Sequence, residues 1–191
     1  YPEVYAMGRM ARRLSELRDN TYFRLSVYQY FAAFYQHWGD PLADTLPYLE
    51  QGLTLGRAGI NPLAAGYCAL LKPVNAFVAG LPLEDIELDA QQGLAFLQRS
   101  GQPNTVAMLH CGVLQPIAAL RGQTLRPTSF ETTEAGVGTW LGGDFETPSV
   151  PLAFYCFAMT RHAYLFDAPA RWRQTSVRAD MIGALLPDGP T

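Results

Sequence analysis

Ala79-Gly80-Leu81-Pro82-Leu83 closes one apolar helical run and opens the next, and its reading decides the fold. Gly suits the position just past a helix end, and Pro two residues later cannot continue the helix. The same punctuation recurs at Gly39, Gly122 and Asp167, in steps of 41, 42 and 45 residues (39, 80, 122, 167). Asp40-Pro41 and Ala168-Pro169 repeat the Pro restart, and Tyr28, Cys68, Cys111 or Cys156 stands eleven or twelve residues before each mark. A period of this length, with helix on both sides of the turn, is the signature of a helical solenoid. The expected architecture is all-α: a right-handed α-α superhelix of tetratricopeptide-like antiparallel helix pairs, one of them irregular. Its helices exceed those of the usual repeat of about 34 residues.

Working outward from that turn, the chain divides into helix pairs. Pro2 to Arg18 carries Val4, Met7, Met10, Ala11, Leu14 and Leu17 on one stripe, and Asp19-Asn20-Thr21 supplies the next cap. An aromatic run from Tyr22 to Trp38 stops at Gly39. Pro47 is expected to bend the following helix or delay its start, and that helix is read as running to Gly59. Asn61-Pro62 caps a helix to Ala79, interrupted by Pro73. Leu83 to Arg99 is acidic in its first turns and closed by Ser100-Gly101, a polarity that suits the helix dipole. Pro103 to Arg121 forms another helix, and Pro151 to Phe166 and Pro169 to Leu186 form the last pair, with Pro187-Asp188-Gly189-Pro190 ending the order. Between them, 123–149 is a Gly/Pro-rich irregular insertion, helical at most around Ser129 to Leu141. The whole of 1–191 is read as one helical-repeat domain.

Composition narrows the classes. Of 191 residues, 49% are hydrophobic and 16% charged, which excludes a disordered chain and leaves more apolar surface than a water-facing rod needs. Some of that surface, at the two ends, is expected to be covered by something else. A net charge of −3 offers no basic stripe for nucleic acid. The longest uncharged apolar run, Ile60 to Leu71, is too short to cross a membrane. Three cysteines without metal-ligand spacing read as buried thiols of a cytoplasmic protein, and the missing initiator Met reads as a fragment.

Several residues invite a chemical role. Asp85 and Asp89, within the acidic group Glu84, Asp85, Glu87 and Asp89, share a helix face and could hold a divalent ion, but a solvated first turn explains them better. His37, His110 and His162 fall on separate helix pairs, too far apart for one site where neighbouring helices pack at about 8–10 Å. Cys111 beside His110 fails as a nucleophile and base, because helix neighbours point about 100° apart. Asp144 and Glu146 beside Gly142-Gly143 lack the Gly-Lys-Ser/Thr element of a phosphate loop. Tyr28, Tyr35 and Trp38 stand at spacings of seven and three and would line a groove for a peptide or flat ligand, although core packing accounts for most of the aromatic residues. Gly52, Gly56, Gly66 and Gly93, inside helices, are expected where helices approach closely. No catalytic, cofactor-binding or metal-binding residue is assigned.

Trp38-Gly39-Asp40-Pro41-Leu42, Thr45-Leu46-Pro47, Ala64-Ala65-Gly66-Tyr67 and the turn at Gly80 together resemble a region of very large bacterial signalling proteins. Leu152-Ala153-Phe154-Tyr155 and Tyr164-Leu165-Phe166 fit as well, so the likeness runs from Tyr22 to Leu186. Those proteins join a serine/threonine kinase-like domain and an ATPase to a helical-repeat region, commonly followed by a GAF domain and a histidine kinase or diguanylate cyclase. The resemblance implies a regulatory segment between ATPase and output domains, and transfers no catalytic residue. The expected function is therefore a non-catalytic scaffold that contacts a protein partner or the neighbouring domains of its own chain. The rival is a small-molecule sensor or enzyme with a pocket between the helices and the long loop. Self-association through apolar end faces is compatible with either.

Overall fold

Helix ends set the spacing of everything else. The computed structural model describes residues 2–18, 20–132, 136–142, 147 and 149–183, and among these every regular element is helical. The helices are α1 (Pro2–Leu17), α2 (Thr21–Tyr30), α3 (Leu46–Gly56), α4 (Pro62–Val78), α5 (Leu83–Arg99), α6 (Pro103–Leu109), α7 (Gln115–Leu120), α8 (Val137–Leu141), α9 (Val150–Leu165) and α10 (Pro169–Gly183). A π-helical turn, Phe31–Tyr35, and a 3₁₀ turn, Gln36–Trp38, prolong α2. A second π turn, His110–Leu114, joins α6 to α7. Asp144, Glu146, Leu186 and the Pro187–Pro190 stop lie outside the described residues.

Left-handed glycines punctuate the helix ends more often than the expected 41–45-residue step. Gly59, Gly80, Gly101 and Gly122 all have positive φ and stand at equal steps of 21 residues (59, 80, 101, 122). After α4, the Leu81 N–H reaches the Ala76 carbonyl (3.1 Å) and the Gly80 N–H that of Phe77 (3.2 Å). This Schellman cap pairs carbonyls that a helix end would otherwise leave open. The same bonds recur at Gly101, Gly122 and Asp167. Gly39 differs from the other marks: its φ of −141° is not left-handed, and the 3₁₀ turn before it ends the helix instead. At the other ends, Asn20, Asn61 and Ser149 cap α2, α4 and α9 through their side chains. Pro47 delays α3, which starts at Leu46 after a 3₁₀ turn at Leu42–Thr45 and stops at Gly56, short of Gly59.

Contacts divide the chain into two compact units, Tyr1–Thr105 and Val106–Thr191. In the first, consecutive helices pack on one another, and α4 lies against α2, α3 and α5. Small residues set those distances. A methyl at Gly56 would sit 2.1 Å from Ala65 Cβ, and one at Gly52 would sit 2.6 Å from Cys68 Sγ, so α3 meets α4 at its own glycines. Gly66 differs from the expectation, since it is filled by the Gln102 side chain rather than by a helix. Pro73 does not interrupt α4, which runs through it. Proline removes one bond, the one to the carbonyl four residues back. That carbonyl belongs to Ala69, and its oxygen lies 2.9 Å from where Gly93 of α5 would carry a Cβ. Lys72, between Glu50 (2.8 Å) and Asp89 (2.9 Å), ties α3, α4 and α5 together on the outside.

The apolar stripe of α1 faces outward. Met7 and Leu17 are 65% and 81% exposed, with Met10 and Leu14 exposed beside them. Its small side is turned inward instead: Gly8 and Ser15 are buried, and Gly8 meets the Cβ of Tyr35. In the second unit, α9 packs on α10 and on the π turn at His110–Leu114. Gly112 receives the ring of Phe154 there. All three cysteines are buried free thiols. Among the described residues no helix is long and apolar enough to cross a membrane.

Candidate functional site

The aromatic groove expected from Tyr28, Tyr35 and Trp38 does not assemble. Tyr28 is 4% exposed and packs beside Tyr48 (ring centroids 5.7 Å apart), while Phe31 meets the same ring edge-on (5.8 Å). The Arg12 guanidinium lies 4.8 Å from the Tyr48 centroid and 5.7 Å from that of Phe31, closing the cluster with a cation–π contact. Burial, and next the charge of Glu16, pushes the Tyr28 phenol above its ordinary range. Tyr35 is held against Gly8, and Trp38 faces solvent with its indole N–H on the Phe34 carbonyl (3.0 Å). The physical cause is the π turn at Phe31–Tyr35. Spacings of seven and three share a face only in a regular helix, and one inserted residue rotates everything after it by about 100°.

Several of the other sequence candidates are spent on structure, while Asp85 stays exposed at the surface. Asp89 is engaged by Lys72 rather than free for a divalent ion. His37 lies beside Trp38, with ring centroids 4.8 Å apart. His110 stacks on Trp140 of α8 at 3.5 Å and 11° between planes. Burial lowers its pKa to about 4, and its Nε2 has no hydrogen-bond partner. His162 donates from Nε2 to the Pro127 carbonyl and touches the rings of Phe130 and Phe166. Burial, more than the nearby Arg161, holds His162 below the usual imidazole range. Burial pushes Cys68 and Cys111 up to about 12, so both remain thiols at neutral pH.

A built site appears where the sequence read irregularity. The chain from Leu125 to Glu131 folds back on itself: the Leu125 N–H bonds the Glu131 carbonyl (2.8 Å) and the Ser129 N–H bonds that of Arg126 (3.0 Å). The Ser129 hydroxyl accepts from the Glu131 N–H (3.1 Å). Phe130, 0% exposed, plugs this loop into a core of Ala119, Ala158 and Met159, edge-on to Tyr155. His162 holds the other side of the loop through Pro127. The loop is thus fixed at both shoulders.

Beside it is a polar hollow of about 330 Å³ lined by Leu125, Arg126, Thr128, Ser129, Glu131 and Arg171. Arg171 enters from the first turn of α10, which the Asp167 cap and a Thr160–Thr175 hydroxyl contact (2.9 Å) set against α9. The Arg171 Nε is buried without a hydrogen-bond partner. Tyr155 is raised chiefly by burial, and it feels opposing charges from Arg171 and Glu131, so both charges lie near the same ring. Among the described residues neither Arg126 nor Arg171 forms a salt bridge. No local sequence pattern marks this place as a site. Its one available signal was Phe130, a lone large aromatic in a polar, Pro-containing stretch. No protein-family model, curated protein or solved structure matches this chain.

Proposed function

We propose that the chain is a non-catalytic, tetratricopeptide-like helical scaffold of bacterial signal transduction, cytoplasmic, and engaged with a protein partner or with adjacent ATPase and output domains. The observation that carries this is the outward seam of α1. Met7, Met10, Leu14 and Leu17 follow one another at three, four and three residues, the spacing by which one helix offers knobs to another, and all four are exposed. Such a surface is far more apolar than a water-facing helix requires, and contiguous patches of this kind mark interaction sites. Neither nucleic acid nor a membrane enters this reading, whereas self-association does, because a second copy could cover the same seam. Replacing all four residues by Gln tests it. The variant should keep its melting temperature and lose association, measured by sedimentation of the chain alone and with the separately produced neighbouring domains. Loss of folding instead would make the seam part of the core, and turnover that depends on a His or acid of this chain would refute the non-catalytic role. A second reading, a small-molecule sensor, is favoured by the hollow beside the 125–131 loop.

A further inference from the structure

We propose that the hollow lined by Arg126, Thr128, Ser129, Glu131 and Arg171 binds an acidic α-amino acid, a small zwitterion with two carboxylates and one ammonium. The inference rests on the sensor reading of this hollow and is independent of the α1 seam. Three features carry it. The first is the orphaned Arg171 Nε. A guanidinium stays charged at any physiological pH, so a buried N–H of that group with no acceptor costs free energy until an anion or water meets it. That Nε is closed to water, so an acceptor reaches it only if the guanidinium turns, but Arg171 also lines the hollow, and arginine is the side chain best shaped to hold a carboxylate.

The second feature is the charge pattern. Two arginines and one glutamate line the hollow. A simple inorganic anion would satisfy the arginines and be repelled by Glu131. A ligand with two negative groups and one positive group complements all three, and that is the formula of an acidic amino acid at neutral pH. The Thr128 and Ser129 hydroxyls add donors for the same carboxylates.

The third is size and stiffness. About 330 Å³ lies at the small end of ligand pockets, suited to a metabolite rather than to a peptide or a dinucleotide. The walls are set beforehand by the Phe130 plug, the His162–Pro127 hydrogen bond and the Leu125–Glu131 closure, so little ordering is left for the ligand to impose.

The test is isothermal titration of the 191-residue chain with L-glutamate and with L-aspartate, alongside L-glutamine, succinate and inorganic phosphate. At least one of the acidic amino acids should bind in the micromolar to low-millimolar range. Removing one charged hydrogen-bonding group is worth roughly tenfold or more, so L-glutamine should bind about tenfold more weakly than L-glutamate. Arg171→Gln should weaken the acidic amino acid by at least that factor. Glu131→Gln should weaken it while sparing succinate. Arg126→Gln provides a surface-side check should Arg171→Gln melt early. Binding of succinate or phosphate that depends on Arg171, with none of either amino acid, would overturn the ligand class and leave a small-anion site standing. Failure of all five probes to bind folded protein at ten millimolar would overturn both the proposal and the sensor reading, without touching the scaffold.

Discussion

Gly93→Ala sets two known effects against each other, and the structure decides the sign. In an unhindered helix, Ala is preferred to Gly by about 0.8–1.0 kcal/mol. At Gly93 the added methyl would lie 2.9 Å from the Ala69 oxygen and 3.6 Å from the Ala69 carbonyl carbon. A comfortable carbon-to-oxygen approach is about 3.3–3.6 Å, so the overlap is roughly half an ångström against backbone. That backbone has little freedom, because α4 is packed on three helices and the carbonyl is the one Pro73 leaves without its usual partner. Overpacking of this kind costs about 1–3 kcal/mol, giving a net loss of about 1 kcal/mol. Gly66→Ala is the comparison. Its methyl would fall closer still, 2.0 Å from the Gln102 Oε1, but that is the tip of a side chain. Swinging it aside breaks the Gln102–Pro62 bond (2.8 Å), worth about 1 kcal/mol, which cancels the propensity gain. The ranking should therefore run opposite to the overlap distances, with Gly66→Ala near neutral and Gly93→Ala destabilised. Urea denaturation of the three proteins, followed by circular dichroism, measures it. A Gly93→Ala variant as stable as the parent, or a larger loss at Gly66, would refute the account of the α4–α5 contact.

Three further outcomes follow from particular residues. Asp167 is the only non-glycine described at positive φ (47°), so Asp167→Gly should stabilise by about 0.5–1 kcal/mol and raise the melting temperature; no rise would mean the aspartate side chain repays its own strain. Phe130→Ala should cost about 3 kcal/mol, the lower end for a buried Phe because a surface loop can partly collapse, and should speed proteolysis between 123 and 149; an unchanged cleavage pattern would contradict the plug. His110 is neutral in the folded protein down to about pH 4, while the unfolded chain takes up its proton near pH 6.5, so the unfolded state binds more protons between those limits. Stability should fall as the pH drops through that window, by on the order of 1–2 kcal/mol once the solvent reaching the ring is allowed for, and His110→Phe should flatten that slope in acid-denaturation curves.

Much of the helical frame was legible because it is written in strong local signals. Asn61-Pro62 and Asn20 act as caps, Gly80, Gly101 and Gly122 act as terminators, and Gly52, Gly56 and Gly93 mark close contacts. Each works through the backbone within a few residues, so no knowledge of the rest of the chain was needed. What escaped depends on distant partners. An apolar stripe on α1 says that a face is oily, not whether anything covers it. Pro73 looks like a break until α5 brings a glycine to the carbonyl it frees. Arg171 and Arg126 are 45 positions apart (126, 171) and share a hollow because Phe130 seats its loop on α7 and α9, against which α10 packs. Composition marked that loop as irregular, and one buried ring makes it definite.

The two π turns show why no motif announced them. At Gln115 and at Gln36 the backbone N–H reaches five residues back, to His110 and Phe31, and both Gln side chains are buried with Oε1 unpaired. The local result is the same, but the causes differ. In the second turn Pro116 follows directly, and a regular helix would press its ring against the Gly112 carbonyl; the wider turn relieves that clash while Gly112 admits Phe154. In the first turn no proline is near, and the extra residue instead accompanies the seating of Tyr35 on Gly8. A reader of periodicity counts 3.6 residues per turn through both places and is wrong by one residue afterwards. That single residue decides whether Trp38 joins Tyr28 on a groove or turns to water. The first π turn packs against α1, far away in the chain, whereas the second has its proline beside it and packs against α9. The face beyond the Phe31–Tyr35 turn is therefore a property of the packed unit, and the sequence of that helix alone does not contain it.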